Sequence, residues 1–121
     1  MAPENIKKNI RDLRKILTKQ TVLFSEADEY SYAQKPFPDK WSRKEILGHL
    51  IDSAGNNLQR FIRTQYEDEP SIIYDQDTWV RLNNYQEATL SKLIDLWRLL
   101  NEQILRIIES TPPENFKKNA W

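Results

Sequence analysis

The chain contains no cysteine, only two glycines and a single histidine. Without cysteine there is no disulfide, no thiol nucleophile, no thiolate zinc finger and no iron–sulfur ligation. That absence fits a reducing interior, and a cytoplasmic location is expected. There is also no excess of charge of either sign, since 18 basic and 18 acidic residues cancel. The electrostatic footprint of a nucleic-acid binder is therefore missing, and no nucleic-acid partner is expected. No apolar run approaches the roughly 20 residues of a membrane span. The opening stretch MAPENIKKNIRD is polar from the start and lacks the apolar core of a signal peptide, so no membrane partner is expected either. Phosphate-binding glycine loops and the Ser/His/Asp order of nucleophilic hydrolases are likewise absent.

What remains is a helical composition. Leu, Ile, Lys, Glu, Gln and Arg dominate, and no period-two strand pattern persists beyond a few residues. A length of 121 residues predicts one domain, 1–121, able to bury roughly two-thirds of its unfolded surface. The first helix is predicted from Pro3 or Glu4 to about Asp28, with Ile6, Ile10, Leu13, Ile16, Leu17 and Phe24 at helical steps. Residues 29–40 follow as a connection that folds over one end of the bundle. Pro36 and Pro38 forbid regular helix there, and Tyr30, Tyr32 and Phe37 make it aromatic.

The second helix has the clearest start. Ser42 and Glu45 have capping-box spacing, with Trp41 and Ile46 placed as a hydrophobic staple. The helix is predicted to run to about Tyr66, where the acidic run Glu67-Asp68-Glu69 and Pro70 end it. Leu47, Leu50, Ile51, Ala54, Leu58, Phe61 and Ile62 form an apolar stripe at about 100° per residue. Glu45, His49, Asp52, Asn56, Arg60 and Arg63 form a polar stripe, which either faces water or lines a cleft shared with another helix; periodicity alone favours water. Gly48 and Gly55 share a face, and each costs a helix interior about 1 kcal/mol against alanine. Two such residues suggest that something approaches the backbone there, although simple tolerance explains them as well.

The connection 71–84 is unusually apolar. Asp77 is expected to cap a short turn carrying Trp79 and Val80. The third helix is predicted from about Gln86 to Ser110, where Leu90, Leu93, Ile94, Trp97, Leu100, Ile104, Ile107 and Ile108 give the most regular stripe in the chain. Leu96, Leu99 and Leu105 widen it, so this helix needs several neighbours or a partner subunit. Pro112-Pro113 stops it, and Phe116 and Trp121 are the only anchors of the tail.

The string Trp41-Ser42-x-Lys44-Glu45-Ile46-Leu47-Gly48-His49-Leu50-Ile51-Asp52-Ser53 resembles the second-helix signature of the DinB/YfiT-like superfamily. The resemblance implies an all-α, up-down bundle of the four-helix type, of which three long helices are present in this chain. It implies a divalent metal, Ni or Zn, held by three histidines, the first of which matches His49. The other two, a pair four residues apart on the last helix, have no counterpart in this sequence. A chain short of that last helix is therefore expected, with an incomplete metal site. Glu45, one turn before His49, is the candidate co-ligand, and Asp52 the candidate partner of the imidazole. Asn56 and Arg60 of the polar stripe are candidate pocket residues, as are Tyr74 and Trp79, since the segment joining the second and third helices lies near the metal in the family, although plain packing explains the latter two as well. The resemblance implies a metal-dependent enzyme of hydrolase or thiol-dependent transferase type acting on a small molecule. A catalytically inactive helical binding module is the competing expectation. In both cases the uncovered apolar surface predicts a homodimer.

Overall fold

A computed structural model describes residues 4–117. Three long helices form the frame: α1 over Glu4–Ser25, α3 over Arg43–Arg63 and α5 over Leu90–Ser110. Two short helices, α2 over Glu29–Ala33 and α4 over Gln76–Asn83, lie in the connections, and 3-10 turns occupy Tyr85–Glu87 and Pro113–Lys117. No strand occurs among the described residues. The all-α expectation and its three long helices are thus met. Phe116 and Trp121 lie outside the residues whose side chains are described.

The ends of the elements follow from local chemistry. Helix α1 stops at Ser25, earlier than the apolar periodicity suggests, because Asp28 opens a new helix by accepting from the Ser31 amide at 2.8 Å. Ser42 and Glu45 close the predicted capping box at the start of α3. That helix ends at Arg63, where the Thr64 hydroxyl turns back to the Arg60 carbonyl at 2.7 Å. Helix α4 is capped by Asp75, whose carboxylate takes the Thr78 hydroxyl at 2.6 Å and the Thr78 amide at 3.5 Å. Sequence alone pointed to Asp77; the cap lies two residues earlier because Asp77 is already inside the helix. Helix α5 begins after Thr89, which makes no side-chain cap. Glu29 substitutes from α2: its carboxylate accepts the first amide of α5, that of Leu90, which has no partner within the helix, at 3.1 Å.

Helix α5 is the shared wall. Its N-terminal residues Leu90, Leu93 and Ile94 cluster with Leu47 and Ile51 from the beginning of α3. At the other end, Gln65 just after α3 donates to Thr111 just after α5 at 3.3 Å. Helices α3 and α5 therefore run in the same direction. Against α1 the pairing is reversed: Phe24 meets Trp97 edge-on at 5.1 Å, while Ile10 and Leu17 pack on Leu105 and Arg14 pairs with Glu109. The long helices thus run up, down and down.

Two consecutive parallel helices need a connection that returns along the full length of the first. Helix α3 has 21 residues, which is about 30 Å at 1.5 Å per residue. The return path is visible in successive contacts. Arg60 reaches the Ile72 carbonyl at 3.4 Å, Ser53 and Tyr74 share a hydroxyl–hydroxyl bond of 2.9 Å, and Tyr85 reaches Asp52 at 2.5 Å. Gln86 then bonds Ser42 at 2.5 Å. Residues 72–86 are a strap laid backwards along α3, and they cover its polar stripe. Of the two readings of the stripe, periodicity favoured exposure to water, but the sheltered one holds at its middle: Asp52 is 3 % and Asn56 5 % exposed. The physical reason is connectivity, which forces the strap to lie where the helix carries its polar residues.

Candidate functional site

The far end of the strap is tied down tightly. The Ser42 hydroxyl is fully buried, donates to Gln86 and accepts from the Glu45 amide at 3.1 Å. Lys44, also buried, donates to the Gln86 carbonyl at 3.1 Å and pairs with Glu29 at 3.3 Å. The Gln86 side chain donates to the Ala33 carbonyl at 3.1 Å. This knot joins α2, α3 and the strap, and every buried polar group in it has a partner, as burial requires.

The middle of the strap is different. Tyr85 lies with its ring over Gly48, where a Cβ would fall 2.1 Å from the ring carbon Cδ2. Glycine is obligatory there, so one of the two glycines does mark a close approach. Gly55 has open space around its missing side chain and is simply tolerated. The Tyr85 hydroxyl donates to Asp52 Oδ1 at 2.5 Å, and Asn83 Nδ2 donates to the same oxygen at 3.1 Å. Asp52 Oδ2 is buried and has no partner. Burial pushes the Asp52 carboxyl above the usual carboxylate range, against the Tyr85 hydrogen bond and the nearby His49 charge. Burial likewise raises the Tyr85 phenol, assisted by its bond to Asp52.

His49 lies one turn before Asp52 on the same face of α3. Its ring is half-buried, tilted 36° to Trp41 with centroids 5.4 Å apart. Its Nδ1 is buried without a hydrogen-bond partner. Two unpartnered polar atoms, an imidazole nitrogen and a carboxylate oxygen, thus occupy one face of one helix, where buried polar atoms are almost always paired.

The other expected residues are placed as follows. Glu45 Oε1 accepts the Ser42 amide at 3.0 Å and the Lys35 ammonium at 3.2 Å, so its carboxylate is engaged in the helix cap. Asn56 donates to the Asp52 carbonyl at 2.8 Å. Arg60 is held by Asn57 at 2.8 Å and by the strap. Tyr74 and Trp79 meet edge-on at 5.3 Å. A cleft of about 550 Å³ opens between Trp41, Glu45, Val80, Arg81 and Tyr85, and Asn56, Arg60, Tyr74 and Trp79 are not among its walls. Tyr85 and Asn83 were not anticipated. The signal for them was Gly48, which announces an intruder but does not name it.

The family model of the DinB superfamily matches residues 12–121. The chain belongs to the DinB superfamily. A search of curated proteins returns no match. Among solved structures, Bacillus subtilis YfiT superposes with a TM-score of 0.76 at 23 % identity, covering 98 % of this chain and 68 % of that one. YfiT is described as a probable metal-dependent hydrolase with an unusual four-helix bundle topology. At this identity the likeness concerns the fold alone.

The donor set can be tested against a metal directly. Among the described residues no group of three His, Cys, Asp or Glu side chains converges to hold an ion. His49 Nδ1 and Asp52 Oδ2 are two unsatisfied donors of suitable chemistry for a divalent ion such as zinc. They are fewer than the three protein ligands of a catalytic zinc site. The described residues fit part of a metal centre and do not complete one.

Proposed function

We propose that this DinB-superfamily protein is an enzyme of the metal-dependent hydrolase type, with His49 as one metal donor and Asp52 beside it. The observation that carries this reading is the pair of buried, unpartnered atoms on one face of α3, His49 Nδ1 and Asp52 Oδ2. A divalent ion bound there would polarise a carbonyl or activate a water. The chain's own residues hold the imidazole against Trp41 and fix Asp52 through the strap; the neighbouring cleft is lined by Trp41 and Tyr85, while His49 and Asp52 are not among its walls. A complete site would need further ligands beside these two. The test is to load the purified protein with Ni²⁺ or Zn²⁺, remove free ion by dialysis, and measure bound metal in the wild type and in His49→Ala. The wild type is expected to retain metal and the variant to lose it; equal content in both would remove the ligand role.

A second reading, a binding module that dimerises without catalysis, is supported by apolar side chains left in water. Leu13, Ile16, Leu50, Leu96 and Leu99 are all between 41 % and 62 % exposed. Sedimentation equilibrium tests it: a dimer without metal retention favours this reading, and a monomer at high concentration rejects it. No helix among the described residues is long and apolar enough to cross a membrane.

A further inference from the structure

We propose that Tyr85 is a positioning residue for the His49 site: with Asn83 it pins one oxygen of Asp52, one turn along α3 from His49, and leaves the other oxygen unpartnered. The proposal rests on the reading of His49 as a donor, and it adds two residues of the strap that this reading does not require.

Three observations support it. Tyr85 is 7 % exposed and touches α3 on both sides of His49, with its ring over Gly48 and its hydroxyl on Asp52. The imidazole is bracketed in sequence by the two contacts of one side chain. Next, both donors converge on Oδ1 alone. A carboxylate free to rotate would share them between its oxygens, because a buried, unpaired acceptor costs on the order of 1–3 kcal/mol. Rotation here would break two bonds at once, so Oδ2 stays unpaired. Such an atom is suited to a cation or to a hydrogen-bond donor on a bound ligand. Finally, the backbone is shaped for the task. Asn84 between the two donors adopts a left-handed conformation, φ 53°, so the chain reverses sharply and both neighbours reach the same oxygen. Asparagine tolerates this region better than most residues.

The single histidine makes the experiment clean, because one imidazole gives one set of ring signals. Nitrogen NMR of the metal-free protein should show that Tyr85→Phe shifts the His49 ring signals and changes its balance of neutral tautomers. Phenylalanine keeps the ring over Gly48, so the fold is preserved. Asn83→Ala removes the weaker tie from an exposed position and should move the same signals by less. Ring signals unchanged in both variants would overturn the proposal, even if their melting temperatures fell, since a purely structural role would lower stability without altering the imidazole. In a parallel Zn²⁺ titration, Tyr85→Phe should keep the wild-type stoichiometry with affinity weaker on the order of 10- to 100-fold. Equal affinity of wild type and Tyr85→Phe would also overturn it. If neither protein takes up Zn²⁺ while the ring signals still move, the positioning role stands and the metal reading falls.

Discussion

On one flank of α3, Asp52 and Asn56 are 3 % and 5 % exposed; on the other, Ile46 and Leu50 are 46 % and 41 % exposed. A single amphipathic helix in water would show the reverse. The difference lies in what each flank meets. The polar flank is covered by the strap, which brings donors matched to particular oxygens, so burial there is specific and has almost no slack. The apolar flank meets no comparable cover among the described residues. Burial on that side would add about 1.5–3 kcal/mol per large side chain wherever a partner supplied it. Polar burial in this protein marks a place already built, and apolar exposure marks a place still open.

Substitutions can sharpen this contrast. The largest effect is expected for Leu47→Ala, since Leu47 is 2 % exposed in the main core. It should lower stability to urea by about 2–5 kcal/mol, whereas Leu50→Ala on the open flank should cost less than about 1 kcal/mol. Equal losses would mean that Leu50 is covered in solution, as a dimer would cover it.

The glycines come next. Helix propensity alone makes Gly→Ala favourable by about 1 kcal/mol. At Gly55, with open space around it, Ala should raise stability by roughly that amount. At Gly48 the new methyl meets the Tyr85 ring, and overpacking should lower stability by about 1–3 kcal/mol. The same chemical change at two sites on one helix should thus have opposite signs in paired urea unfolding curves. If Gly48→Ala were also stabilising, the strap would not lie on α3 as described.

The smallest effect concerns pH. The folded-state pKa of Asp52 lies above its ordinary value of 3.8. In the interval between the two, the folded protein holds a proton that the unfolded chain has released. Stability contributed by this group is therefore present at low pH and falls as pH rises from about 3.8 through the raised value. Asp52→Asn, which keeps an oxygen for Tyr85, should flatten that part of the stability-versus-pH curve. An unchanged slope would show that another group is responsible.

The sequence made α3 legible because its signals are local. Ser42 and Glu45 cap a helix through bonds three residues apart, and the Leu47, Ile51 and Ala54 steps describe its core face without reference to anything else. His49 became a candidate through family resemblance, not through any physical rule about a lone histidine. The burial of Asp52 was not legible, because its partners Asn83 and Tyr85 lie 31 and 33 positions later and carry no complementary pattern of their own. Asp75 was passed over for Asp77 because two acidic residues in one short segment offer equal capping chemistry, and only the fold chooses. The end of α1 was overestimated for a related reason: Phe24 inside the helix and Ala27 just past its end both pack on the main core, so apolar packing continues where the helix has already stopped.

The parallel arrangement of α3 and α5 has a kinetic consequence. Hairpin-connected bundles assemble from neighbours in sequence and fold quickly, whereas distant pairings demand closure of large chain loops before any contact rewards it. Here the knot at the base of α3 joins Ser42 to Gln86, 44 residues away, and Gln65 meets Thr111 across 46. The protein should therefore refold more slowly than an up-and-down helical bundle of equal length, with the strap settling after the long helices have met.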